Sequence, residues 1–177
     1  MEVRFAMVID TDEKLLLDLL NTTPVHEGRP CDLLAGPADG LRWLSAHGQP
    51  ASEEEWRAAL DARAALQDVV RGDAPPAALA RFVEGVSCLA SLGGEGIEWT
   101  PRLPDGRVAA ARAVLTWDAL RVSGPGRLRA CANDECRLFL IDHSRPNTAR
   151  WCSMAGCGNR MKARRHYQRT RQGKTDG

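Results

Sequence analysis

The chain has 177 residues, 44% of them hydrophobic, and 24 Lys+Arg stand against 23 Asp+Glu for a net charge of +1. That length suits one ordinary domain, or a domain of about 125 residues with a small attached module. No stretch stays apolar for the roughly 18 residues of a membrane helix, and the start MEVRFAMVIDTDEK lacks the apolar core of a secretion signal, so the expectation is a cytoplasmic protein that does not enter the membrane.

Taken in chain order, Val3, Phe5, Met7 and Ile9 alternate and predict a short strand. Residues 14–20 predict an apolar-rich helix with Asp12 as N-cap. Asp18, Asn21 and Thr22, at the end of that helix, are candidates for a polar ligand pocket; the alternative is that they cap the helix. Residues 24–30 read as a polar loop, and residues 38–47 as a short helix that stops before Gly48. Ser52 and Glu55 have capping-box spacing and open a helix to about Arg71, with Trp56, Leu60, Ala64 and Val70 inward.

Pro75 and Pro76 suit the first turn of a further helix to about Leu92. After the break at 93–96, residues 97–100 and 107–110 flank Pro104-Asp105-Gly106 as a hairpin, and residues 111–120 predict a helix. Cys31 and Cys88 sit in apolar contexts and are expected to be buried. Trp43, Trp56, Trp99 and Trp117 are expected in the core. No dinucleotide fingerprint, P-loop or nucleophile elbow is present, and His26, Glu27 and His47 have no catalytic spacing, so no enzymatic activity is expected.

Gly124-Pro125-Gly126 divides the chain. Residues 1–126 carry 12 Lys+Arg and 19 Asp+Glu, a balance of −7, whereas residues 127–177 carry 12 and 4, a balance of +8. An acidic body with a basic arm points to nucleic acid as partner. Residues 127–130 and 138–141 predict two short strands, and a helix is predicted from Ser153 to about Arg171.

Four cysteines lie in the arm. Cys131 and Cys136 form one C-x4-C pair, and Cys152 and Cys157, fifteen residues on, form the second. Two thiol pairs joined by a short loop can surround one tetrahedral Zn²⁺. Four thiolates leave no open position, so the metal would be structural, and its binding would fold a module too small to build a core. Disulfides, free thiols and an iron–sulfur cluster are the alternatives, and a reducing compartment speaks against the first. His143 lies between the pairs and is expected to be a loop residue. A knuckle between strands, followed by a pair where a helix begins, describes a treble-clef-like finger. The helix then carries Arg160, Lys162, Arg164, Arg165 and Arg169 with no acid among them, which suits phosphates. Gly158 and Asn159 could present amides to a phosphate, and the Asn159 side chain matches an adenine edge. Met161, Ala163 and Tyr167 would give a thin apolar strip toward the finger.

The run Arg150-Trp151-Cys152-Ser153-Met154, with Cys157-Gly158-Asn159-Arg160 and Lys162-Ala163-Arg164-Arg165 after it, resembles the signature of the CGNR zinc-finger family. Leu138-Phe139, Asp142 and Ser144-Arg145 fit its inter-pair loop. Residues 17–22, 32–34 and 41–44 resemble the ABATE domain that precedes this finger. The resemblance implies a stress-induced transcription regulator: a zinc-dependent DNA-binding C-terminus and an N-terminal domain that senses a small-molecule effector or mediates assembly.

Together these readings give an α+β, mainly helical protein, with an ABATE-like domain over residues 1–124 and a zinc finger with basic helix over 127–174. One structural zinc sits on Cys131, Cys136, Cys152 and Cys157. DNA is the expected partner, contacted through Asn159, Arg160, Lys162, Arg164, Arg165 and Arg169, and a homodimer would supply paired half-sites. The alternative is a finger that binds RNA or a protein partner while the N-terminal domain senses a small molecule.

Overall fold

A computed structural model describes residues 12–94 and 96–172. The strand expected at Val3 to Ile9 lies outside the described residues. The fold is mixed α+β. In chain order it has α1 (Glu13–Leu20), the short strands β1 (Val25–His26) and β2 (Arg29–Pro30), α2 (Pro37–Ala46) and α3 (Glu53–Arg71). A 3₁₀ turn (Pro76–Leu79) runs into α4 (Ala80–Val83). Then come β3 (Ser87–Gly93), β4 (Gly96–Arg102), α5 (Val108–Ser123), β5 (Leu128–Ala130) and β6 (Phe139–Ile141). A π-helical turn (Met154–Gly158) leads into α6 (Asn159–Gln172). Among the described residues the strands form three separate antiparallel pairs. Among the described residues no helix is long and apolar enough to cross a membrane.

The core is helical. Leu16, Leu19 and Leu20 of α1, Ala59, Ala62 and Leu66 of α3, and Ala109, Ala110 and Ala113 of α5 are buried together. The alanines favour helix and are small enough to let the three axes approach closely. Asp12 caps α1 by accepting from the Leu15 amide at 2.9 Å. Between α2 and α3 a glycine makes room for an indole. A Cβ on Gly40 would lie 2.0 Å from Cδ1 of Trp56, so only glycine fits there. The same indole donates to the Leu34 carbonyl at 3.0 Å.

Polar side chains of α3 hold the chain that follows α1. Arg63, buried, donates to both carboxylate oxygens of Asp32 at 2.7 Å and to the Thr22 hydroxyl at 2.9 Å. This guanidinium holds the Asp32 carboxyl below its usual range. Gln67 donates to the Leu20 carbonyl at 2.8 Å and to the Thr23 hydroxyl at 2.9 Å. Glu55 is 1% exposed and accepts from the amides of Val108 and Ala109 at 2.8 and 3.2 Å. It therefore caps α5 from a neighbouring helix.

Several expectations are corrected. Ser52 does cap α3, accepting from the Glu55 amide at 3.2 Å, but Glu55 serves α5 instead of closing the box. The inward face of α3 runs through Glu55, Ala59, Ala62, Arg63, Leu66 and Gln67, and Ala64 is exposed. The helix expected to reach Leu92 ends at Val83. Gly85 at φ 77° turns the chain, and residues 87–93 form a strand. Their partner is residues 96–102, so residues 107–110 do not pair but begin α5. Cys31, Cys88 and Trp99 are exposed, while Trp43, Trp56 and Trp117 pack against the core. The 24–30 loop folds into a small hairpin whose turn residues Glu27 and Gly28 have φ 49° and 78°, the positive pair that a two-residue turn requires.

Candidate metal centre and its basic helix

β5 and β6 pair antiparallel, with Ala130 opposite Phe139. Cys131 follows the first strand and Cys136 precedes the second by a short loop, so the first thiol pair sits on a knuckle. Inside that knuckle the Cys136 amide donates to the Asn133 carbonyl at 2.7 Å. Ser153 opens the π-helical turn, accepting from the Gly156 amide at 2.9 Å. Cys152 stands just before this turn and Cys157 within it, so the second pair lies where α6 begins.

The four Sγ atoms all lie within 4.8 Å of one another. Cys136 and Cys152 are 3.7 Å apart, and Cys152 and Cys157 are 3.6 Å apart. Zinc–sulfur bonds of about 2.3 Å in a tetrahedron place sulfurs about 3.8 Å from one another. The donor set therefore fits one zinc, closed by four sulfurs and structural in kind. His143 takes no part. It is exposed, and its Nε2 meets Glu13 of α1 at 3.1 Å.

The surroundings suit thiolates. Asn133 is fully buried and its amide donates to Cys157 Sγ at 3.4 Å. The Cys152 amide donates to Cys131 Sγ at 3.4 Å and the Leu138 amide to Cys136 Sγ at 3.5 Å. Without metal, burial pushes the Cys136 thiol up to about 11 and raises Cys152 as well. Burial also acts against ionisation of Cys157, but the Asn133 amide and the neighbouring thiols outweigh it and leave that group lowered. Sequence reasoning missed Asn133. Its only signal was a small polar residue within the first C-x4-C loop. Because it orients a ligand sulfur, Asn133→Leu is expected to weaken zinc binding roughly 10- to 100-fold. Competition against a chromophoric chelator measures this.

The long loop between the pairs is anchored by Asp142, which is 3% exposed. Its carboxylate accepts from the Ser144 amide at 2.9 Å and the Ala149 amide at 2.7 Å. Arg129 stands at 3.4 Å. The Ser144 hydrogen bonds, the Ala149 amide and Arg129 hold this carboxyl down at about 2.

The finger is fastened to the helical core at its first hairpin. The Asn21 side chain brackets the Phe139 backbone, accepting from its amide at 2.7 Å and donating to its carbonyl at 3.2 Å. The Phe139 ring is 1% exposed within the main core, with the Arg71 guanidinium 4.6 Å from its centroid. Arg71 also donates to the Arg137 carbonyl at 3.2 Å.

The three residues proposed for a polar pocket are thus each engaged within the protein. Asn21 holds β6. Thr22, buried, donates to the Leu19 carbonyl at 2.8 Å and accepts from Arg63. Asp18 pairs with Lys14 and lies 3.0 Å from His47 Nε2. Burial opposes its ionisation, but Lys14 and His47 prevail and lower its pKa.

On α6, Asn159, Arg160, Lys162, Arg164 and Arg165 are all exposed, and Arg169 lies on the same helix. Arg164 reaches back to Glu135 of the knuckle in a solvent-exposed ion pair. Arg160 borders a groove shared with Asp134, Glu135, Arg137 and the β1–β2 turn. The amides of Gly158 and Asn159 donate to the Ser153 and Gly156 carbonyls within the π-helical turn. They serve the turn rather than face outward. Tyr167 is 72% exposed, so the expected apolar strip does not face the finger there.

The CGNR zinc-finger family matches residues 127–170, and the ABATE family, described as "Putative stress-induced transcription regulator", matches residues 13–139. The two matches overlap over residues 127–139, the hairpin that carries the first thiol pair and enters the core. No curated protein matches the chain.

Proposed function

The chain belongs to the ABATE family and ends in a CGNR zinc finger, and from that premise we propose that it is a transcription regulator that binds duplex DNA through α6. One observation carries the reading: a 14-residue helix with no acidic residue, presenting Arg160, Lys162, Arg164 and Arg165 to solvent, is rooted in a closed metal centre. A fixed cationic stripe gains affinity for a phosphate backbone by releasing counterions. Residues 1–124 then act as the regulatory body and residues 127–174 as the arm, joined at Gly124-Pro125-Gly126. The protein works by binding rather than catalysis, in the cytoplasm with the DNA, and as a homodimer that sets two arms on paired half-sites. A recess of about 350 Å³ lies between the ends of α3 and α5 and strand β5, lined by Val69, Val70, Trp117, Leu120 and Leu128. A small apolar effector seated there would touch body and arm together.

Binding to a DNA duplex is expected to weaken steeply with salt. Lys162→Ala with Arg165→Ala should lower affinity and reduce the slope of log K against log salt by roughly two, with zinc content unchanged. Salt-insensitive binding, or none at low salt, would replace this reading with an RNA or protein partner for the finger.

A further inference from the structure

Among the described residues, β3 and β4 form a ribbon that packs chiefly on itself. In an antiparallel pair, directly opposed residues point to the same face and successive residues alternate. The register therefore sets Cys88 with Pro101, Ala90 with Trp99, and Leu92 with Ile97 on one face. Ser87 with Arg102, Leu89 with Thr100, and Ser91 with Glu98 occupy the other. One face is wholly apolar and the other largely polar. The end of the apolar face nearest the turn is open to solvent: Leu92 is 84% exposed and Ile97 64%. A two-stranded ribbon is marginal in water unless its apolar side is covered, and contiguous exposed apolar surface marks a contact site.

We propose that this face pairs two copies of the chain, ribbon against ribbon, about a two-fold axis. Three observations favour a second copy over other occupants. The face carries no charged group, so a charged partner would gain nothing from it, whereas two copies would meet without burying a charge. Residues 1–126 carry a balance of −7, which opposes insertion of the ribbon into an anionic lipid surface. Two such faces, apolar against apolar, can stack at the roughly 10 Å spacing of packed sheets, with Glu98, Thr100 and Arg102 left in water. The area sets the strength. Six apolar side chains offer on the order of 450 Å² per copy, so the pair buries about 900 Å², short of a standard interface. The dimer is weak in free solution. It needs no DNA, so it stands or falls apart from the reading of α6. Where that reading holds, the ribbon joins two arms in one particle and each strengthens the other's binding.

Sedimentation equilibrium of the full zinc-loaded chain, from low micromolar to several hundred micromolar, tests this without DNA. The expected result is a monomer–dimer equilibrium whose Kd rises roughly tenfold or more in Leu92→Glu and in Ile97→Glu. Ser91→Lys, on the same strand but the opposite face and across from Glu98, should leave Kd unchanged. The substituted residues are exposed, and unchanged circular dichroism and zinc content would verify the fold; Leu92→Ser supplies a milder variant with the same direction of effect. A chain that stays monomeric throughout overturns the proposal, as does a dimer indifferent to Leu92→Glu and Ile97→Glu or equally broken by Ser91→Lys. Dimerisation that appears only when residues 1–11 are deleted also overturns it, because the face would then belong to the chain's own N-terminus.

Discussion

Cys157→Ser is expected to abolish stoichiometric zinc binding and to unfold the chain from the knuckle to α6 while the helical core persists. The reason lies in what each part buries. The core gathers leucines and alanines from α1, α3 and α5. Beyond Leu140 the described residues bury little except Asp142, Cys157 and Gly158. Such a segment cannot offset its own ordering entropy by apolar burial, and a structural zinc supplying roughly 10–16 kcal/mol must do so. Loss of one thiolate opens the site and leaves the fully buried Asn133 amide facing a neutral hydroxyl on a shorter bond, a weaker acceptor than the sulfur it replaces. Hydrogen exchange should then show residues 150–172 unprotected and α1, α3 and α5 still slow. Zinc binding should also be steeply pH-dependent. In the metal-free finger burial holds Cys136 as a thiol to about 11, and Cys152 is raised with it. Zinc takes thiolate, so binding must release these protons. Affinity therefore falls as pH falls, by up to about tenfold per unit for each proton displaced, and a chelator competition between about pH 6 and pH 8 would read it.

The metal centre was legible because zinc imposes its geometry on sequence. Four thiols must converge on one point, and short pairs on a knuckle and at a helix start are an economical way to bring them there. The acid-free run of α6 was legible as composition. What escaped the sequence depends on contacts between distant segments. Residues 87–93 contain Leu89, Ala90 and Leu92, which fit a helix or a strand equally well; the pairing with residues 96–102 decides, and no local periodicity records it. Glu55 has the spacing of a capping box, yet the amides it serves belong to α5, 53 and 54 residues away. Arg63 and Gln67 look like solvent-facing residues of an amphipathic helix, but they donate to Leu20, Thr22, Thr23 and Asp32 at the end of α1 and beyond it. Asn21, at the end of α1, reads as either a pocket residue or a helix cap. Its partner, the Phe139 backbone, lies 118 residues on. The ribbon explains the misplaced Cys88 and Trp99: apolar residues were assigned to the interior by type, while the strand pair puts them on an open face.

Phe139→Ala provides the sharpest test of whether finger and body are one folding unit. Phe139 belongs to the finger by sequence, three residues after a zinc ligand, yet its ring is 1% exposed in the body's core. Truncating a buried phenylalanine costs about 3–5 kcal/mol, and the cavity would also strip Arg71 of its ring contact. For a chain of this size each kcal/mol moves Tm by roughly 2–4 °C. A fall on the order of 10 °C in the main helical transition is therefore expected, with zinc stoichiometry retained because the four thiols are untouched. Were the finger an independent module, the same substitution would perturb zinc affinity and leave the helical transition within the ±0.5 kcal/mol typical of surface changes. Asn21→Ala approaches the joint from the other side. It removes both bonds to the Phe139 backbone, and the part-buried amide it abandons should cost about 1–3 kcal/mol. Linkage then runs both ways: a body that holds β6 in place lowers the entropy that zinc must overcome. Both substitutions should accordingly weaken zinc binding, and chelating zinc from the unaltered chain should lower the Tm of the body.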